Sequence, residues 1–224
     1  MLDFSQYKTV LFDCDGVILD SNRIKTQAFY QTALPYGEEF ATRLVEYHVG
    51  HGGISRYVKL KYFLTDILNQ PPSENLFNDL VHTYAAHVME GLLQAQVEPS
   101  LETLRCTFPD ASWGVVSGGD QNELRQVFRE KGIADWFQIG IYGSPDTKEM
   151  ILSQLLRAGS PASSILFIGD SRYDYEVAQA YDLDFVFVSQ WSEFEGGLDF
   201  FRDQSIPCIR ALEQLVRANP GPFC

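Results

Sequence analysis

Basic residues are scarce in this chain. Seventeen lysines and arginines stand against 30 aspartates and glutamates, a formal net charge of −13 over 224 residues. Nucleic acids are held by cations that displace counterions from phosphates, so this balance argues against a nucleic-acid partner. A phosphorylated small molecule is still allowed, because a local cation cluster or a bound metal can reverse the field inside one cleft. Cysteine is sparse as well: Cys14, Cys106, Cys208 and Cys224 are scattered, with no Cys-x-x-Cys pair. Neither a zinc site nor a thioredoxin-like motif is indicated, and scattered thiols fit a reducing compartment. Long apolar runs are missing too. No stretch approaches the eighteen or so apolar residues of a membrane span. The opening MLDFSQYKTVLFDCDG lacks the basic region and apolar run of a signal peptide. The expectation is a cytoplasmic protein without membrane contact. Acidic residues are dispersed rather than gathered in a tail, and no internal repeat or low-complexity segment is visible.

The composition, 45% hydrophobic and 21% charged, is that of a soluble globular protein with one generous domain or a core and a smaller lid. Short apolar runs that suit strands buried on both faces lie at Thr9–Phe12, Trp113–Val116, Ile139–Tyr142, Ile165–Ile168 and Phe185–Val188. Helical stretches fall between them, at Asn122–Lys131, Lys148–Ala158 and Asp174–Tyr181. This alternation predicts βαβ units and an α/β fold with a Rossmann-like, doubly wound parallel sheet. Residues 21–96 differ. They show helical periodicity broken at Gly50–Gly53 and at Pro71-Pro72, which suits about four helices. Val97-Glu98-Pro99-Ser100 reads as the return to the sheet. The predicted organisation is a core of residues 1–20 and 97–224 with an all-helical insertion over 21–96.

Asp13 and Asp15 end the first predicted strand, at the edge of a parallel sheet where ligands bind. Two carboxylates this close repel unless a cation lies between them or one holds a proton. The plainer alternative is a turn, for which Asp-x-Asp-Gly is good chemistry. Asp170, in Gly169-Asp170-Ser171, ends another buried run, and an oxygen-only cluster across the two strand ends would suit Mg²⁺. Asp174 is open between a metal ligand and a helix cap. Ser117-Gly118-Gly119 follows a third run; its hydroxyl and amides could hold a phosphate, or Ser117 could cap the helix beginning near Gln121. Lys148 begins a predicted helix, where its charge opposes the dipole unless something negative holds it.

In that order, FDCDGVILDS, VVSGG, PDTKEMI and LFIGDSRYDYEVA, the motifs resemble the haloacid dehalogenase (HAD) superfamily over essentially the whole chain. The insertion resembles its helical C1 cap, as in phosphoglycolate phosphatase and β-phosphoglucomutase relatives. The resemblance implies a Mg²⁺-dependent phosphomonoesterase acting on a small phosphorylated metabolite, a sugar or sugar-acid phosphate by preference. Asp13 would be the nucleophile that becomes an aspartyl-phosphate, and Asp15 the acid and base. Ser117 and Gly118 would hold phosphoryl oxygens, and Lys148 would neutralise the clustered charge. Mg²⁺ would be held by Asp13, the Asp15 carbonyl, Asp170 and Asp174. An acid at position 15 disfavours dehalogenation. A β-phosphoglucomutase-like phosphomutase is the runner-up, phosphonate hydrolysis comes third, and a catalytically silent binding protein is the alternative of another class.

In the insertion, Arg56 follows a glycine-containing loop and offers a fork-shaped donor to an anionic group of the substrate, the alternative being a solvated side chain. His51 in the same loop is a further candidate. Lys25 stands where the mutases of this type carry a histidine, so it weighs against a mutase and adds a cation near the cleft mouth or hinge. His82 and His87 read as ordinary helix residues, and Phe77 and Tyr84 as core. A monomer is the expectation.

Overall fold

The computed structural model describes residues 6–71, 73–157, 159 and 161–218; Pro72, Ala158 and Cys224 of the sequence reading lie outside them. Strand β1 (Thr9–Phe12) is a run of β-branched and large apolar residues, all four buried. It lies between β2 (Ser112–Asp120) and β4 (Ile165–Gly169) and pairs in parallel with both. With β3 (Gly140–Ser144), β5 (Asp184–Val188) and β6 (Cys208–Ile209) it forms one parallel sheet of order β3-β2-β1-β4-β5-β6. The α/β doubly wound sheet expected from the alternation is the fold. The order reverses at β1, so the crevice outside its carboxyl end is the topological switch point.

Successive side chains of β1 enter opposite layers. Val10 and Phe12 join Trp113, Val115, Phe128 and Phe137 on one face. Leu11 joins Val116, Ile151, Leu152, Phe167 and Phe185 on the other. Among the described residues of 21–96, after β1, lie four α-helices, α1 (Asn22–Ala33), α2 (Glu38–Gly50), α3 (Arg56–Tyr62) and α4 (Glu74–Gln94). A π-helical turn, Phe63–Ile67, extends α3. On α4 the buried residues Leu80, Tyr84, Val88 and Leu92 recur every four positions and form the inward stripe, while His82 and His87 are exposed. This stripe, with Phe29, Leu44, Leu60 and Phe63, packs in an apolar core continuous with the Phe12 side of the sheet. The segments leading into and out of the helices lie side by side, with Asp20 N–H donating to the Gln96 carbonyl and Glu98 N–H to that of Ile18.

Helices α6 (Gln121–Glu130), α7 (Lys148–Arg157) and α8 (Arg172–Ala180) follow β2, β3 and β4, with α5 (Leu101–Thr107) preceding β2. Two expectations shift. Strand β2 runs on through Ser117-Gly118-Gly119 to Asp120, with a register irregularity against β3 after Val116. Helix α8 starts two residues before Asp174 because Ser171 caps it. Beyond β5, α9 (Gly197–Asp203) and α10 (Glu213–Ala218) flank the two-residue strand β6, too short to leave a periodic signal.

A candidate active site at the carboxyl edge of the sheet

Asp13 is the first residue past β1, and its N–H donates to the Ile168 carbonyl at 2.9 Å, tying it to β4. Its carboxylate is 2% exposed and accepts the Cys14 N–H at 2.7 Å. Lys148, the first residue of α7, lies 3.1 Å from Asp13 Oδ1 and also pairs with Asp174 Oδ1. A lysine at the positive end of a helix therefore has two carboxylates to offset the dipole. Burial pushes Asp13 up to about 7; Lys148 pulls against that, and Asp174 and Asp15 add to it. Burial works against the Lys148 ammonium, yet Asp13 and Asp174 raise its pKa above the ordinary lysine value.

Asp15 is turned differently. Its Oδ1 accepts the Ser21 hydroxyl at 2.6 Å, and its Oδ2 pairs with the buried Lys25. Burial would raise Asp15, but Lys25 and the hydrogen bonds from Lys25 and Ser21 hold it below the usual carboxylate range. Lys25 is thereby raised to about 12, Asp15 outweighing burial. The residue expected at the cleft mouth is instead a partner of the acid. Ser117 Oγ lies 3.5 Å from Asp15 Oδ2 and accepts the Gly119 N–H. It does not cap α6: Asp120 does, accepting the N–H groups of Asn122 and Glu123. Gly118 abuts the loop between α2 and α3, where any Cβ would stand 2.1 Å from the Gly53 carbonyl oxygen.

Oxygens of Asp13, Asp170 and Asp174 all lie within 4.8 Å of one another, three buried carboxylates facing one lysine. Burial, with Asp13 and Asp174, raises Asp170 well above the carboxylate range. This all-oxygen, charge-rich set suits a hard divalent cation. Asp174 caps α8 through a reciprocal pair with Ser171 while pairing with Lys148, so its carboxylate both caps and belongs to the cluster. Gly16, at φ +77°, completes the wall, since a Cβ there would lie 2.1 Å from Asp170 Oδ2. The Asp-x-Asp-Gly segment is a turn and a carboxylate cluster at once.

A cavity of about 380 Å³ opens between this edge and the helices α1–α4. Arg56 lines it, but its two terminal nitrogens donate to both oxygens of Glu123 on α6, at 2.8 and 2.5 Å, and it lies over the Tyr84 ring. It is not a solvated side chain: its charge fastens α3 to α6, and the Tyr57 hydroxyl adds a bond to Asp120. His51 stacks on Tyr47 at 4.0 Å between ring centroids, exposed at the cavity rim.

Residues 7–182 match the profile of the family described as haloacid dehalogenase-like hydrolase. The chain belongs to that family. Among solved structures, a predicted phosphatase from Clostridium acetobutylicum is similar at a TM-score of 0.73 and 17% identity, over 95% of this chain and 97% of that one. A β-phosphoglucomutase from Clostridium difficile is similar at 0.71 and 18%, over 93% of each chain. The HAD-hydrolase assigned as YfnB of Bacillus subtilis, in a magnesium-bound crystal, is similar at 0.67 and 20%, over 96% and 99%. No protein of curated function matches the sequence. Among the described residues no helix is long and apolar enough to cross a membrane.

Within this HAD-like hydrolase, four site residues carried no assigned role in the sequence reading. Asn22 donates to Asp170 Oδ2 at 2.7 Å and to the Trp191 carbonyl; Ser21 serves Asp15; His48 and Lys59 line the cavity. Ser21, Asn22 and Lys25 share the first turn of α1, and polar residues so close behind Asp-x-Asp-Gly were the available signal. The carboxylate cluster also makes a pH prediction. Metal-free, the folded protein keeps a proton on Asp13 between its ordinary pKa near 4 and about 7, while the unfolded chain has lost it. That contribution to stability is present at the acid end and lost as pH rises through about 7. A divalent cation binds the ionised carboxylates and acts in the opposite sense. The gap in melting midpoint between Mg²⁺ and chelator is therefore expected to widen from pH 5 to pH 8; a pH-independent gap would count against a metal among these groups.

Proposed function

We propose that the protein is a Mg²⁺-dependent phosphomonoesterase of small phosphorylated metabolites, working through an aspartyl-phosphate on Asp13. The observation that carries this is the convergence of Asp13, Asp15, Ser117, Lys148 and Asp170 on one buried crevice at the sheet's switch point. Residues 21–96 would act as the cap and residues 1–20 and 97–224 as the core, with the cavity between them holding the leaving group.

In the first half-reaction an Asp13 oxygen attacks phosphorus and the bond to the ester oxygen breaks. The leaving oxygen takes its proton from Asp15, whose carboxyl group is positioned by Ser21 and Lys25. In the second half Asp15 removes a proton from water, which attacks the acyl-phosphate, releasing inorganic phosphate and restoring Asp13. Ser117 Oγ and the neighbouring amides orient the phosphoryl oxygens, and Lys148 offsets their charge. Bound Mg²⁺, held by Asp13, Asp170 and the Asp15 carbonyl with Asp174 in support, would supply further charge neutralisation. Lys25, paired with the acid where the mutases carry histidine, favours hydrolysis over phosphoryl shuttling. The test is phosphate release from a panel of metabolite esters (glycolate, hexose, heptose and sugar-acid phosphates) with Mg²⁺. Release suppressed by chelator is expected; conversion to an isomeric ester without release would assign a mutase.

A further inference from the structure

Three cations line the helical side of the cavity, and two are already matched. Lys25 pairs with Asp15 and Arg56 with both oxygens of Glu123. The third is Lys59 on α3, 2% exposed. Its Nζ lies 2.7 Å from His48 Nδ1 and 3.4 Å from the His48 carbonyl, and 5.6 Å from the centre of the Phe29 ring. No carboxylate among the described residues comes within ion-pair distance of it. Burial, with Lys59 and Lys25 nearby, holds His48 well below its ordinary pKa, so the imidazole is neutral and accepts from Lys59.

An ammonium buried without a counter-charge is costly, and an apolar side chain of similar length against Phe29 and His48 would avoid that cost. Burial and Lys25 pull Lys59 down to about 7; the more distant carboxylates of Asp15 and Glu193 act in the opposite sense without offsetting this. The transferred phosphoryl group does not supply it, being already provided for by Lys148, Ser117 and the amides at the end of β2. The anion belongs to the other end of the substrate. A single ammonium beside a neutral acceptor matches one negative charge rather than two. We infer that Lys59, seated by His48, binds a carboxylate on the leaving portion of the substrate, making the protein selective for phosphate esters of hydroxy acids. This inference rests on the phosphomonoesterase reading and names its substrate class.

The test compares the full chain, with Mg²⁺, on two matched pairs: 2-phosphoglycolate against 2-hydroxyethyl phosphate, and 6-phosphogluconate against glucose 6-phosphate. In at least one pair the acid is expected to have kcat/KM about tenfold or more above its uncharged partner, the scale of one buried charge contact. Lys59→Met should erase that ratio through KM, and Lys59→Arg should keep part of it. Equal kcat/KM within both pairs for the unaltered protein, or equal loss on both members in Lys59→Met, would overturn the inference. The unaltered protein's ratio keeps the question decidable if the methionine variant fails to fold. No phosphate from any of the four esters, nor from p-nitrophenyl phosphate, would instead strike the phosphatase reading beneath it.

Discussion

Asp13→Asn is expected to slow phosphate release by at least about 10⁴-fold while leaving the fold intact, because an amide oxygen cannot form the acyl-phosphate. The structure indicates why folding should survive. Asparagine keeps an oxygen for the Cys14 N–H, and Lys148 keeps Asp174 as its partner. The variant also removes a carboxylate whose charged form burial already disfavours, as its rise to about 7 records. Its metal-free melting midpoint should therefore equal or exceed that of the unaltered protein. Steady-state phosphate release and thermal unfolding with chelator measure the two halves. Near-full Mg²⁺-dependent turnover in this variant would remove Asp13 from the nucleophile's place.

Lys148→Met carries the second large effect, and on stability its sign is opposite. Lys148 is 1% exposed and is the ion-pair partner of both Asp13 and Asp174. Without it, three buried carboxylates within 4.8 Å face one another with no cation. Breaking a buried ion pair from one side costs on the order of 3–5 kcal/mol. Chemical denaturation with chelator should show a loss of that size, and Mg²⁺ should restore a good part of it. Phosphate release should fall about 10²–10³-fold even with the metal, as when a preorganised charge at the reacting group is removed. Chelated stability equal to that of the unaltered protein, with activity within tenfold, would mean that Lys148 is not what neutralises the cluster.

The two variants separate roles that one crevice holds together. Asp13 would be costly to the fold and necessary to the chemistry, Lys148 necessary to both. Lys59 stands apart again, since its loss should move substrate preference rather than the reaction. Between them the Arg56–Glu123 pair holds α3 to α6, so the cavity's shape depends on a contact outside the chemistry.

The sheet and the residues placed at its edge were legible from the sequence because both are local. Thr9–Phe12 and Ile165–Ile168 are unbroken apolar runs, the pattern that burial on both faces demands, and an aspartate directly after such a run must sit at the ligand edge. Ser117 and Lys148 were legible for the same reason, each being tied to the end of a run or the start of a helix. The identity of each cation's partner was not local. Arg56 finds Glu123 67 positions away, and Asn22 finds Asp170 148 positions away. No periodicity encodes such pairs, and a single sequence carries no record of which side chains meet. So residue order alone determined a doubly wound sheet with carboxylates at its switch point. Only the folded chain decided that Lys25 and Arg56 are paired with carboxylates and that Lys59 is buried with no carboxylate of the described residues in ion-pair distance, because burial and pairing are properties of the packed cavity and not of any segment that lines it.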